Sequence, residues 1–343
     1  MATGTGLDAQ IGFAAETTVG TPVTVTRFLE FNSESLAYVP TFVEPSGLRV
    51  GRKYKRAARL VQSRKTVEGG VELQWPNKGG GLLVAHALGS AGTATQISTS
   101  GAYVQIHTPG GLVGKGLTIQ AGRPEPSGTV RPHTYTGCKI TSWEFKLAND
   151  GVLTFSAEVD GWDEATATAL ATASFASGAE VFDFRQATLK LGGTPATSSG
   201  ELAVTSGVAV AAVITELSIK GENPLATERY GVGQSGTKKE QLENDFPTIT
   251  GSLRAEFARD ELYMLMKNNT TFALDFAMTG SAIPSGGGNS FLISIILPAC
   301  KIKAAAPSVE GPDIVAMSTE IEAYDNEVDA PIQIKIVSSD TSI

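Results

Sequence analysis

The same chemistry occurs twice along this chain, and the duplication limits what it can fold into more than any other feature. Cys138-Lys139-Ile140 returns as Cys300-Lys301-Ile302, 162 residues later. At the same spacing Glu158-Val159-Asp160 returns as Glu320-Ile321-Glu322, and Trp162 and Asp163 return as Tyr324 and Asp325. Thr66-Val67-Glu68-Gly69 has its match in Thr248-Ile249-Thr250-Gly251. Each copy then runs to an aromatic residue, Trp75 or Phe257, and into a short helix-like stretch, Gly81–Leu88 or Asp260–Lys267. A unit repeated within one chain points to a protein that builds symmetric assemblies.

Both copies alternate. Val67, Val71, Leu73 and Trp75 fall on one face of a strand, with Glu68, Glu72 and Gln74 on the other. In the second copy Ile249, Leu253, Ala255 and Phe257 oppose Thr250, Ser252, Arg254 and Glu256. Further on, Trp143, Phe145 and Leu147 oppose Glu144 and Lys146, and Phe155, Ala157 and Val159 oppose Ser156, Glu158 and Asp160. Side chains alternate across a strand, so this period of two predicts antiparallel sheets with one packed and one wet face. Short Val/Ile/Thr runs broken by Ser, Pro and 38 glycines fit many strands and turns. The fold class is mainly β, in two tandem copies, each with a short flanking α-helix. Leu82, Leu83, Ala85 and Leu88 form the apolar stripe of the first helix, and Asp260 stands as N-cap of the second.

The pattern divides the chain into an N-terminal arm, 1–27, a first unit, 28–163, an Ala/Thr/Ser-rich linker, 164–179, a second unit, 180–326, and a C-terminal strand and tail, 327–343. The first regular strand is expected at Phe28–Phe31 and its counterpart within Val181–Leu191; the first unit also holds an extra segment, Ala91–Pro132. Each unit contains a long loop, a feature uncommon unless functional or disordered. The first loop, 45–65, carries Arg49, Arg52, Lys53, Lys55, Arg56, Arg59, Arg64 and Lys65 and no acid. The net charge is −8, so the remainder of the chain stands at −16, which is −8 minus the loop's 8. The second loop, 222–247, is mixed, with Glu222, Glu228, Glu240, Glu243 and Asp245 against Arg229, Lys238 and Lys239. A net negative surface repels nucleic acid.

The residues that carry chemistry elsewhere lack the required spacing here. Cys138 and Cys300 occupy matching positions and read as small buried strand residues, not a disulfide framework. His86 falls in an apolar helix, His107 and His133 in expected loops, and none has a metal-ligand neighbour. Gly110–Gly116 has Pro109 and Gly116 where a phosphate loop needs Gly and Ser or Thr, so it reads as a turn. Glu68/Glu72 and Glu158/Asp160 have the form of acid–base pairs, but the second pair recurs as Glu320/Glu322, as a repeated acidic surface would. No catalytic residue, cofactor or metal ligand is assigned. No stretch reads as a membrane-spanning helix, and Met1–Gln10 lacks the pattern of a signal peptide.

Gly12-Phe13 with Glu16, Gly20-Thr21-Pro22-Val23, Arg27-Phe28-Leu29-Glu30-Phe31 and Ser33–Leu36 follow in an order that resembles the tail tube (major tail) proteins of long-tailed bacteriophages. The resemblance runs on through Gly47-Leu48-Arg49, Gly51-Arg52, Val67, Gly69, Val71, Leu73 and Lys78-Gly79 to Gly89, and the duplicated plan extends it to most of the chain. It implies a β-sandwich or half-barrel unit with a flanking helix, joined side by side into a barrel around a lumen. Six such units make each ring of the family, so three chains would suffice here, and stacked rings form a conduit for genome ejection. The implied partners are the chain itself, a tape measure protein, a tail terminator and distal tail or baseplate proteins. Genomic DNA would pass without specific binding, in a virion tail whose subunits are made in the host bacterial cytoplasm. On this reading Arg49, Arg52, Lys53, Lys55, Arg56 and Arg59 are expected at the ring–ring contact. Glu68, Glu72, Glu158, Asp160, Glu256, Glu320 and Glu322 are expected to line the lumen. A tail-tip or baseplate ring protein of the same fold is one alternative, and a surface carbohydrate-binding β protein another; the lack of exposed-aromatic clusters weighs against the latter.

Overall fold

A computed structural model of the chain describes residues 5–257, 260–309, 311–312 and 314–343. In chain order its strands are β1 Gln10–Ala15, β2 Arg27–Phe28, β3 Ser33–Glu34, β4 Ala37–Val43, β5 Val61–Gln74, β6 Ala94–Gln96, β7 Tyr103–His107, β8 Leu117–Pro124, β9 Val130–Ala148, β10 Thr154–Gly161 and β11 Asp163–Ala165. They continue as β12 Ala187–Leu191, β13 Thr194–Ser198, β14 Glu201–Thr205, β15 Val208–Ala209, β16 Ile214–Glu222, β17 Thr248–Glu256, β18 Phe272–Ala282, β19 Ser290–Ser308, β20 Ala316–Ala323 and β21 Gln333–Ser338. The helices α1 Gly81–Ala87 and α2 Glu261–Lys267 sit where the apolar stripes predict them. The protein is mainly β.

The sequence repeat is matched strand by strand. β10 lies between β5 and the C-terminal half of β9, and β20 lies between β17 and the C-terminal half of β19. Gly69 faces Val159 in the first set, and Gly251 faces Ile321 in the second. Both sets skip one residue at the same place, Thr141 on β9 and Lys303 on β19. A second shift precedes each cysteine, between Tyr135 and Cys138 against β8 and between Leu297 and Cys300 against β18. There each long strand passes from an outer sheet into the inner one, a corner that an extra residue makes possible. Gly137 turns the first corner at φ 63°, beneath the Trp162 indole, where a Cβ would collide with the ring. Both cysteines are buried and free beside these corners, and burial pushes their thiols up, that of Cys300 to about 12.

β4 is laid on β5 and β16 on β17, and β16 also pairs with β9. The result is one inner sheet ordered β4-β5-β10-β9-β16-β17-β20-β19. Its apolar face is the core. Trp75 packs edge-on against Phe145 with centroids 4.9 Å apart and lies 5.3 Å from Phe155, contacts worth about 0.5–1.5 kcal/mol each beyond area burial. Leu253, Ile302, Met317 and Ile321 fill the corresponding space in the second half. Two outer layers close this face: β2-β1-β8-β9-β11 over the first half and β15-β12-β18-β19-β21-β7-β6 over the second. All of α1 is buried, whereas α2 buries only Leu262.

Several expectations are corrected. Residues 10–15 are not an arm: β1 is paired with β8 along its whole length and buries Ile11 and Phe13. It holds the position in the first half that β12 holds in the second, whereas of Phe28–Phe31 only Phe28 is strand, as the second residue of β2. The stretch 164–179 opens with two residues of β11 and then lies along the outer sheet, where Gln120 bonds the backbone of Ala169 and Ala171. The C-terminal strand is no appendage, since β21 pairs with β19 as β11 pairs with β9. Asp260 takes the N-cap position of α2 without a side-chain hydrogen bond. His107 and His133 lie in β7 and β9, not in loops.

His86 and His107 are both buried, and burial holds each imidazole at about 4 against a free value of 6.5. His86 Nδ1 reaches the Leu82 carbonyl at 3.0 Å, while His107 Nδ1 has no partner among the described residues. Each ring therefore binds its proton more readily unfolded than folded. Their contribution to stability is intact above pH 6.5 and is lost as pH falls toward about 4, by at most about 1.4 kcal/mol per pH unit and ring. Thermal unfolding between pH 7 and pH 4 checks this: the variant His86→Gln/His107→Gln should lose less Tm across the interval than the parent chain.

Candidate assembly surfaces

The wet face of the inner sheet is lined in register by polar and small side chains. Glu68, Glu72 and Gln74 stand on β5, Ser156 and Glu158 on β10, and Ser142, Glu144 and Lys146 on β9. Glu216, Ser218, Lys220 and Glu222 follow on β16, then Thr250, Ser252, Arg254 and Glu256 on β17, and Ser318, Glu320 and Glu322 on β20. Lys146 neutralises Glu216 at 2.6 Å, Lys220 neutralises Glu222 at 2.6 Å, and Lys303 neutralises Glu322. Glu68, Glu72, Glu144, Glu158, Glu256 and Glu320 make no ion pair among the described residues, so the face keeps an acidic excess. Glu72 faces Ser156, and Glu158 faces Gly70 and Ser142, which avoids like charges directly opposite one another.

Asp160 departs from the expected exposed row. It stands opposite Glu68, but it is 7% exposed and bonded to Lys238 Nζ at 2.5 Å and to Gln241 Nε2 at 2.7 Å. A buried acid needs such partners, and the second long loop supplies them. The remaining acids of the expected row are at least partly exposed.

The inner sheet has two ends. Among the described residues no strand pairs with the outer edge of β4 or with the free edge of the C-terminal half of β19. β4 exposes Val39, Phe42 and Val43 along this edge, with Val61 exposed at the adjoining start of β5. Both end strands carry a proline, Pro40 and Pro307, which blunts an edge in a free subunit.

The two long loops occupy equivalent places and behave differently. Residues 44–60 project, and Leu48, Val50 and Tyr54 are almost wholly exposed. Lys55 pairs with Glu44 at 2.6 Å, whereas Arg49, Arg52, Lys53, Arg56 and Arg59 make no ion pair among the described residues. Two cations of the expected loop belong to β5 instead: Arg64 meets Glu228 at 3.0 Å and lies over the Tyr230 ring, and Lys65 pairs with Asp163. Residues 223–247 fold back across the first half. Lys238 reaches Asp160, and Gln241 bonds the Gly137 and Asp160 carbonyls and accepts from Trp162 Nε1 at 3.0 Å. Lys139, also buried, donates to Glu240 at 2.8 Å and to the Leu112 and Gln241 carbonyls. Burial pulls the Lys139 ammonium down; burial works to raise Glu240, but the bonds from Lys139 and Gly114 hold it below its free value. Asn223 ties the start of the loop to the Ala87 and Ile140 carbonyls.

The clamp residues Lys238 and Gln241 carry no spacing signal, because their partners lie 78 and 81 residues away in sequence. Glu144 is legible in the alternation as part of the wet face. Glu16 is another residue with a purely structural role. Its buried carboxylate accepts from Gly137 N at 2.9 Å and Thr118 Oγ1 at 3.0 Å, and burial raises its pKa. Among the described residues no group of three or more His, Cys, Asp or Glu is placed to hold a metal ion, and no helix is long and apolar enough to cross a membrane.

A family model described as phage tail tube protein matches residues 6–330. No curated protein matches the chain.

Removing one partner of the Lys238–Asp160 pair leaves a buried charge uncompensated. Lys238→Met should destabilise the chain by about 3–5 kcal/mol and open residues 223–247 to proteolysis. The double variant Asp160→Asn/Lys238→Met should recover part of that loss. Urea unfolding and limited proteolysis read both effects.

Proposed function

This chain belongs to the phage tail tube protein family, and on that premise we propose that three copies close into a ring and that rings stack into the tail tube. It is a structural protein of the virion tail. One observation carries the proposal: β9 of the first set is joined edge to edge with β16 of the second. β16 is to the second set what β4 is to the first, and β19 is its β9. The same joint made between β19 of one chain and β4 of the next is a head-to-tail contact, which closes into a ring when the rotation allows. It covers both open edges and the apolar side chains along β4.

With six units to a ring, as the family resemblance implies, three chains supply the circle. Three times eight inner strands, ~4.8 Å apart and tilted by about 40°, enclose a backbone circle roughly 48 Å across. That leaves space for a nucleic-acid duplex inside the side chains. The apolar face is already filled by the chain's own outer layers, so the wet face turns inward. Its acidic excess, with Glu68, Glu72, Glu158, Glu256 and Glu320 unpaired and Glu322 partly neutralised, repels phosphate and lets DNA pass without being held.

Along the axis, the projecting loop presents its tip cations Arg49, Arg52 and Lys53 to the adjoining ring, with Lys55, Arg56 and Arg59 nearer its root. The opposite end of the inner sheet offers acids, with Asp150 exposed in the turn between β9 and β10 and Glu256 at the end of β17. Tape measure, terminator and distal tail proteins would meet the lumen and the tube ends. Electron microscopy of the purified protein tests this reading. The parent chain should form tubes, and Arg49→Glu/Arg52→Glu/Lys53→Glu should give folded subunits and rings without long tubes. Normal tubes from that variant would refute the axial role of the loop, and isolated rings from the parent would favour a tail-tip ring protein.

A further inference from the structure

The surface that the clamp covers on the first half has a bare counterpart on the second. Under residues 223–247 lie Arg64, Thr66, Lys139, Asp160 and Trp162. The duplication places Phe246, Thr248, Lys301, Glu322 and Tyr324 in the same positions of the second half. There Phe246 is 87% exposed, Tyr324 and the nearby Val328 are exposed as well, and Lys303 lies against Glu322 and over the Tyr324 ring. The exposed acids Asp245, Asp325 and Glu327 flank this corner. Glu322 receives Lys303 and the Tyr324 hydroxyl on the same oxygen, Oε2.

The loop side matches in the same way. Counting back from the aligned glycines, Lys238 lies 13 residues before Gly251, and Arg56 lies 13 before Gly69. Gln241 lies 10 before Gly251, and Arg59 lies 10 before Gly69. The root of the first loop also leaves Phe42, Val43, Leu60 and Val61 about half exposed. Cations and apolar side chains stand on one side, acids and apolar side chains on the other.

We propose that the root of loop 44–60 closes over the Phe246–Glu322–Tyr324 corner of the neighbouring chain in the same ring, with Arg56 meeting Glu322 as Lys238 meets Asp160 within the chain. The occupant is thus a second copy of this chain, held by the contact that the chain makes once with itself. The inference rests on the ring proposed above, because β4 must lie beside β19 for the loop to reach. The tip, with Arg49, Arg52 and Lys53, remains free for the adjoining ring.

Cross-linking tests it. Arg56→Cys/Glu322→Cys in one chain, treated after assembly with a short bis-maleimide, should yield covalent dimers and trimers, while each single variant stays monomeric on a denaturing gel. The two positions lie at opposite ends of the inner sheet, so a link within one chain is out of reach, and the native Cys138 and Cys300 are buried from the reagent. In parallel, Arg56→Glu should raise the protein concentration needed for ring formation about tenfold or more, and Arg56→Glu/Glu322→Arg should restore it. A variant that merely misfolds is not rescued by the second change. Rings or tubes visible by microscopy without cross-links overturn this corner contact and leave the ring intact. Failure of the parent chain to form any ring of three overturns the ring reading itself.

Discussion

Seven residue pairs, from Glu216 against Ala148 to Glu222 against Ser142, join β16 to β9 and hold the rest of the molecule to a single plan. A net backbone hydrogen bond is worth only about 1 kcal/mol, but a buried donor or acceptor left unpaired costs about 1–3 kcal/mol. Edges are therefore settled by pairing wherever a partner is in reach. Joining the two sets at this edge makes one inner sheet from two repeats and aligns their wet faces. It also pushes the unpaired edges out to β4 and β19. The proposed assembly follows from where those two edges end up.

The same joint explains why the two long loops differ. Residues 223–247 emerge beside β9, already next to a receptive surface, and the pairs Lys238–Asp160 and Lys139–Glu240 lock them down. Buried ion pairs add little net stability against an apolar substitute, but they punish misplacement, so they suit a contact that sets the relative orientation of two units. Residues 44–60 emerge beside the β4 edge, which no strand of the described residues pairs. Exposed Leu48, Val50 and Tyr54, together with arginines that make no ion pair among the described residues, are what the proposed contacts between chains would use.

Much of this was legible because it is local or periodic. The alternation through Val67–Trp75 and Trp143–Leu147 assigns faces by itself, and the offset between the two cysteines predicts that their surroundings match, down to the bulges at Thr141 and Lys303. What escaped depends on distant partners. β1 lies in a Gly/Ala/Thr-rich stretch that reads as an arm until β8 is placed beside it. Asp160 reads as one more exposed acid, because nothing near it in sequence announces Lys238. β7 comes from the extra segment of the first half yet extends the outer sheet of the second through β21, a pairing across more than two hundred residues that no local period encodes. The row of acids was visible as a pattern, but which of them are neutralised depends on cross-strand neighbours such as Lys146 against Glu216.

Fusing two units has a physical consequence beyond economy of genes. In a ring of six units, three of the six joints become intramolecular and form at folding, so only three remain to be made by collision. A linked partner is present at an effective concentration of about millimolar, far above that of a free subunit. Fusion also frees the two copies to diverge, since each always occupies the same kind of position. One loop can bury its cation on Asp160 permanently, while the other leaves most of its cations exposed for the proposed contacts between chains. A ring built this way is six-fold in its backbone but three-fold in its charge. Stacked rings would then distinguish rotations of 60° from rotations of 120°, because only the latter bring each basic loop onto the same acidic turn.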